Sequence, residues 1–364
     1  MRVAVVHDWV TVPGGSEEVL REVFHLYPGV LFTSQFDRPK YPWLHDAEVR
    51  TSFIQRLPMS LTKHQLYAPV LSWIYPRFDF SEFDLVLSDS HSFAHGIIKR
   101  PDALHVNYYH APARALWLPE IDDRARGVLR QMIARKLRNR DLVFSKRPDV
   151  LFANSQTTAD RIERFYGRKV DRVIYPPVHT GRFLKIPRRS DDEGFLMWGR
   201  HITYKRFDLA VGAAKKHGFK LNLVGSGPLT EKLKALAAGH PNIVFHGRLP
   251  DADLDDLISR SRAVLFPCYE DFGIVPVEAM AAGVPVIAYG EGGAGETVRG
   301  DFGVIMRELS VDELVRCVSE LETRHFDPDQ LRDHARTFDV EVFRKTYREE
   351  VERALAGHAK ATRR

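Results

Sequence analysis

Short apolar runs alternate along the chain with segments of helical period. VAVVHDW (3–9), VLFTSQ, LVLSDS, LHVNYYH and VLFANS predict buried strands in the first half. SEEVLREVFHLY (16–27) and TTADRIERFYG predict helices, the latter with threonine caps and a terminal glycine. The second half repeats the rhythm. GFLMWG, KLNLVG, NIVFHG, AVLFPC and PVIAYG predict strands, and RFDLAVGAAKKHG, LTEKLKALAAG and DADLDDLISRS predict helices between them. Continuous apolar strands separated by helices imply parallel sheets covered on both faces, hence an α/β, doubly wound architecture.

The rhythm lapses once. YPPVHTGRFLKIPRRSDDEG has three prolines, a charge cluster and neither period, which marks a linker. The expected organisation is a Rossmann-like domain over 1–178, a linker over 179–190, a second Rossmann-like domain over 191–340, and a helix over 341–364 that returns to the first domain. HAKATRR reads as a frayed tail. A chain of 364 residues suits two cores better than one. Sheets of this kind bind ligands beyond the carboxyl ends of their strands, so an interdomain cleft is the expected site.

Five segments fall at such strand ends. Gly14 and Gly15 precede the first helix, where two glycines permit a close backbone approach and the helix amides suit an anion; a plain turn capped by Ser16 is the alternative. His110 ends a buried strand, with Arg114 close behind, and can meet a hydroxyl or phosphate; Asp8 is a weaker candidate of the same kind. Arg200 and Lys205 bracket a strand-to-helix loop and can neutralise a diphosphate, with Arg206 expected to face solvent. Gly225 and Gly227 form a tight turn that passes close to a ligand or merely turns. Finally, Glu270 and Glu278 flank a predicted helix start. The amides of Gly273, Ile274 and Val275 can point at an anion or sugar there, Pro276 suits the first turn, and Glu278, placed in that turn, suits a ribose diol. Simple stabilisation of the helix dipole is the alternative for Glu278, but not for Glu270, which precedes the helix.

Composition narrows the classes. With 44% apolar and 28% charged residues the chain reads as globular, and its net charge of +5 is mild for a nucleic-acid binder but fits an anionic small molecule or an acidic membrane surface. The two cysteines, Cys268 and Cys317, make no disulfide framework. MRVAVVHDW enters a strand pattern without the features of a signal peptide, so a cytoplasmic location is expected, with any membrane contact peripheral, on the inner face of the plasma membrane. Basic residues gather at Arg124, Arg126, Arg130, Arg135, Lys136, Arg138, Arg140, Lys146 and Arg147, with Asp141 the one acid among them. Together with the aromatic run SWIYPRF they suit anionic headgroups, though a solvated basic helix is the plain alternative.

The ordered set EDFGIVPVE (Glu-x7-Glu), AMAAGVPVIA, GRHITYKRFDLA, GSGP, PGGSE, GGAGETV and NYYHAPAR resembles the retaining glycosyltransferases of family 4, which have the GT-B fold of two Rossmann-like domains. The likeness covers nearly the whole chain, and NYYHAPAR is similar to a mannosyltransferase-like subset. It implies a nucleotide-sugar donor, with GDP-mannose favoured and UDP-glucose open. Arg200 and Lys205 would hold its diphosphate, Glu278 its ribose, and Glu270 with the amides of Gly273, Ile274 and Val275 the transferred sugar. Gly15 would approach the diphosphate and His110 the reacting face. The implied acceptor is a glycan or a polyprenyl-diphosphate-linked saccharide. No cofactor or metal is expected, since no Asp-x-Asp metal motif stands between strand and loop and DADLDD reads as an acidic helix start. Two other classes compete: a sugar-nucleotide epimerase of the same fold, and a non-catalytic nucleic-acid binder. The second leaves the two carboxylates unexplained.

Overall fold

The computed structural model describes residues 1–118, 128–189 and 191–362. They form two compact units. The first comprises Met1–Pro177 and Glu341–Arg364, and the second Val178–Val340.

The first unit is built on seven parallel strands: β1 (Val3–His7), β2 (Val30–Thr33), β3 (Val49–Thr51), β4 (Leu85–Ser90), β5 (Leu104–Tyr109), β6 (Val150–Ala153) and β7 (Arg172–Val173). Their order is β3-β2-β1-β4-β5-β6-β7, so the winding reverses between β1 and β4. In that pair Val3 to His7 stand opposite Leu85 to Asp89. All residues of β1, β4 and β5 are buried, as continuous apolar runs require when helices cover both faces. The helix Gln156–Tyr166 is capped by the Ser155 side chain, which accepts from the Thr158 amide, rather than by a threonine; Gly167 ends it in the left-handed region. Phe343, Tyr347 and Val351 of the terminal helix Val340–Thr362 join the core formed by Val5, Leu87 and Tyr108. HAKATRR, read as a frayed tail, is helical through Thr362; its last two residues lie outside the described ones.

The second unit has six parallel strands: β8 (Phe195–Trp198), β9 (Leu221–Val224), β10 (Ile243–Gly247), β11 (Ala263–Phe266), β12 (Val286–Tyr289) and β13 (Gly303–Met306). The order β10-β9-β8-β11-β12-β13 places its reversal between β8 and β11. The linker expected at 179–190 is instead partly folded. Thr180–Phe183 is a short helix, and Arg182 forms a bidentate pair with Asp255 at 2.6–3.2 Å and an ion pair with Asp251 at 2.9 Å. Those partners lie some seventy residues away, so no local period announces them. The sequence pattern does not predict β3, β7 or β13; β3 and β7 have only three and two residues, too few to show a period.

Candidate active site

In a doubly wound sheet the reversal of strand order opens a crevice at the carboxyl ends of the two flanking strands. In the first unit these ends carry His7 and Asp8 after β1, and Asp89 in β4. His7 is fully buried. Its Nδ1 lies 3.3 Å from Asp89 Oδ2 and its Nε2 3.8 Å from Glu17 Oε1. Burial opposes the imidazolium, but Asp89 and then Glu17 more than offset it and push the pKa up to about 10. Asp89 also accepts from His110 Nε2. Burial would raise the Asp89 pKa, but its contacts with the His110 and His7 imidazoles hold it well below the usual carboxylate range. His91 goes the other way: burial pushes it down to about 4.

Asp8 has a different task. Its Oδ2 accepts from the amides of His91 and Ser92 and its Oδ1 from those of Phe93 and Ala94, at 2.7–2.8 Å. The carboxylate is thus occupied by backbone. Gly14 is the extended residue before the helix Gly15–Leu26, and a Cβ on it would stand 3.2 Å from Glu17 Oε2. The helix start proposed for an anion therefore already holds Glu17, which accepts from Ser16 Oγ at 2.9 Å. Arg114 opens the short helix Arg114–Trp117.

In the second unit the crevice between β8 and β11 gathers the other candidates. The loop after β8 runs through Gly199, the exposed Arg200 and a 3-10 turn at Thr203–Lys205. Lys205 Nζ forms an ion pair with Glu270 Oε1 and lies 5.5 Å from the centre of the Phe266 ring. Burial pulls the ammonium down, but Glu270 outweighs it, and the Lys205 pKa stands above the ordinary lysine value. Arg206 adopts the left-handed conformation at φ 55° and clasps Asp208 at 3.0 Å. That reversal sends the two neighbouring cations in different directions.

Gly225 and Gly227 serve backbone packing. A Cβ on Gly225 would lie 2.0 Å from the Gly199 carbonyl oxygen, and one on Gly227 2.5 Å from that of His201. The Glu270 loop is held in the same manner. Gly293 donates to the Glu270 carbonyl at 2.9 Å, and a Cβ on Gly292 would lie 2.5 Å from that oxygen. Gly273, at φ 86°, caps the helix Ile274–Ala281 and leads into the half-buried Ile274 and Val275. Glu278 is the fifth residue of this helix, not a first-turn residue, so the dipole alone gives it little reason to be acidic. Burial pushes its pKa up to about 7, opposed first by a hydrogen bond with Trp198 and then by the charges of Arg182, Lys205 and His179.

Lys205 thus pairs with Glu270 ahead of the helix Ile274–Ala281 and acts on Glu278 within it, with Arg200 on the same loop as Lys205. His110 belongs to the first unit. Sequence reasoning missed Trp198, Arg182 and His179 beside Glu278, and His7, Glu17 and Asp89 near His110. The polar endings of the buried strands VAVVH and LVLSDS were the available signal. Among the described residues there is no group of three or more His, Cys, Asp or Glu side chains arranged to hold a metal ion.

Residues 183–338 match the model of the family Glycosyl transferases group 1. The group 1 match includes Lys205, Glu270 and Glu278. A GDP-mannose-dependent alpha-(1-6)-phosphatidylinositol monomannoside mannosyltransferase of Mycobacterium tuberculosis is 31% identical over 203 residues, 48% of this chain and 52% of that protein. The D-rhamnosyltransferase WbpZ of Pseudomonas aeruginosa is 29% identical over 192 residues, 49% of each chain. The chain spans about half the length of these curated relatives. A crystal structure of Anabaena HepE in complex with UDP superposes with a TM-score of 0.69 at 20% identity, covering 97% of this chain and 100% of the other. The fold is therefore α/β of the GT-B class, with two Rossmann-like units.

Proposed function

We propose that this protein is a retaining glycosyltransferase that moves a hexose, mannose by preference, from a nucleotide-diphosphate sugar to a glycan or lipid-linked saccharide in cell-surface polysaccharide synthesis. The observation that carries the proposal is that Lys205, paired with Glu270 ahead of the helix Ile274–Ala281, also acts electrostatically on Glu278 one turn into that helix. A diphosphate needs cations, and Arg200 and Lys205 flank the loop. A ribose diol needs an acceptor, and Glu278 is one once ionised. The amides of Gly273, Ile274 and Val275 suit the sugar or the departing phosphate.

In this reading, catalysis is chiefly stabilisation of the leaving diphosphate. Charge grows on it as the glycosidic bond breaks, and fixed cations and amides meet that charge without reorganising. Glu270 pairs with Lys205, so a bound donor would share the ammonium between carboxylate and phosphate. The acceptor hydroxyl attacks from the face of the leaving group and passes its proton to the departing phosphate oxygen, and no metal is invoked. GDP-mannose is favoured because the mycobacterial relative is named for its use.

The acceptor side rests on the first unit. Among the described residues no helix is long and apolar enough to cross a membrane. The helix Val128–Phe144 exposes Met132 and Ile133 beside Arg135 and Lys136, and Arg140 stacks 4.5 Å from the exposed Trp73 ring. An apolar cavity of about 260 Å³, lined in part by Trp9, Pro69, Leu116 and Ile133, lies alongside. Such a surface suits a peripheral site on an anionic membrane, the reading we adopt for the acceptor and for location. The basic run is not uniformly solvated, however. Arg138 donates to the Leu116 carbonyl, Arg140 to that of Ser72 and Arg147 to that of Gly96. Arg124 and Arg126 lie outside the described residues, as does the side chain of Arg130.

Calorimetric titration with GDP-mannose, UDP-glucose and related donors tests the reading, joined to product analysis with and without a saccharide acceptor. Binding of one donor and acceptor-dependent transfer with retained configuration is expected. An epimerised donor formed without acceptor, or no binding of any donor, overturns it. Vesicle co-sedimentation unchanged by Arg135→Glu with Lys136→Glu rejects the membrane part.

A further inference from the structure

We infer that Asp89 is the positioning residue of His110, and that the buried His7–Glu17 pair completes a chain of alternating charge that holds Asp89 in place. The inference deepens the proposed function and rests on it only for the role of His110 towards a sugar. The geometry begins with the sheet. β1, β4 and β5 are neighbours, His7 stands opposite Asp89 in register, and Asp89 stands opposite Tyr108. The His110 amide donates to the Ser90 carbonyl at 2.9 Å, which carries the β4–β5 ladder one residue further. The His110 ring reaches back to Asp89, whose side chain is 1% exposed against 12% for His110. An ionised carboxylate only accepts hydrogen bonds, so the contact fixes the proton of His110 on Nε2. The ring atom left to face a ligand is Nδ1.

On its other side Asp89 meets His7, and His7 meets Glu17 of the helix Gly15–Leu26. The sequence Glu17–His7–Asp89–His110 thus links the glycine turn at Gly14 to the imidazole at the end of β5. Both ring nitrogens of His7 and Asp89 Oδ2 are buried without a well-aligned hydrogen bond, so Coulomb attraction is what joins them. A cationic His7 between two anions places an opposite charge beside each of the two buried carboxylates. The elevated His7 pKa agrees with that charge state. The other groups facing the chain do not supply the missing charge. Asp8 is taken up by four amides. His91, from the loop after β4, has its ring 5.6 Å from that of His7 and 6.2 Å from that of His110, and is held neutral by burial. The Tyr108 ring lies 5.3 Å from that of His110.

Nitrogen-15 NMR of the full chain labelled at histidine tests this, with His7→Gln and His110→Asn spectra used for assignment. In the wild type at pH 7.5, His7 is expected as a doubly protonated imidazolium and His110 as carrying hydrogen on Nε2. In Glu17→Gln, His7 should lose its proton at a lower pH than in the wild type. In Asp89→Asn, His110 should no longer hold the single Nε2–H form, and kcat at saturating donor should fall roughly 10–100-fold, as when other orienting carboxylates are lost, with donor KM little changed. Asp89→Glu should restore part of that rate. A neutral His7, or His110 protonated on Nδ1 alone, overturns the inference from the wild-type spectrum whatever the variants do. The spectrum does not depend on sugar transfer, so a chain seen by NMR in a protein that transfers nothing would sink the proposed function and leave the positioning intact.

Discussion

Lys205 and Glu270 lie 65 positions apart in the sequence, yet their side chains form an ion pair in which each is 15% exposed. Each charge therefore has the other as its partner. A partly buried pair of this kind leaves an uncompensated charge when one member is removed. If Lys205 meets a diphosphate, Lys205→Ala should lower turnover at saturating donor by roughly 10²-fold or more, as when a preorganised donor is lost. Steady-state kinetics measure it, and near-normal turnover contradicts the assignment.

Glu278 should make stability depend on pH. Its folded pKa, about 7, lies above the ordinary value of 4.5, so the folded state favours the neutral acid. The associated stability is complete below about 4.5 and is lost as the pH rises through about 7. Glu278→Gln stays neutral throughout. Its thermal midpoint should exceed that of the wild type by more at pH 8 than at pH 4.5. A gap independent of pH would show that Glu278 does not titrate in that window.

Two glycines with positive φ should respond differently to alanine. Gly167, at φ 64°, has nothing within 4 Å of its Cβ position, so Gly167→Ala should cost only about 1–2 kcal/mol of left-handed strain. Gly292, at φ 93°, has the Glu270 carbonyl oxygen 2.5 Å from that position. Gly292→Ala adds a clash to the strain and should cost roughly 3 kcal/mol or more, displacing the Glu270 loop as it does so. Denaturant titration gives both values, and equal costs would contradict the packing.

Asp8→Ala should be severely destabilising with no direct effect on the chemistry. It orphans the amides of His91, Ser92, Phe93 and Ala94, which the carboxylate now satisfies. Each buried unpaired donor costs about 1–3 kcal/mol, so a total of roughly 4 kcal/mol or more is expected. Chemical denaturation checks it, and a loss below about 1 kcal/mol would mean that water replaces the carboxylate.

The two sheets were legible because each parallel strand is a continuous apolar run and each helix has its own period. The candidates at strand ends were legible for the same reason, since position alone singled out His110, Lys205 and Glu270. What the chain hid were relations across distance. Nothing in VAVVH says that β1 neighbours β4, and that neighbourhood is what brings His7 to Asp89. Gly225 and Gly227 read either as a turn passing a ligand or as a plain turn, and the sequence did not show that the carbonyls of Gly199 and His201 leave no room for a Cβ there. The helix begins at Ile274, directly after Gly273 and ahead of Pro276, which leaves Glu278 beyond its first turn. Thr180–Phe183 looked like linker because Asp251 and Asp255, which fix Arg182, are remote in sequence.

The central claim is that a nucleotide-diphosphate sugar binds in the crevice between β8 and β11. A crystal structure of the protein with GDP-mannose, or with whichever donor titrates, tests it most directly. The two phosphates should lie within hydrogen-bond reach of Arg200 and Lys205, with the ribose hydroxyls on Glu278. A bound donor with those cations turned to solvent and its diphosphate elsewhere would contradict it.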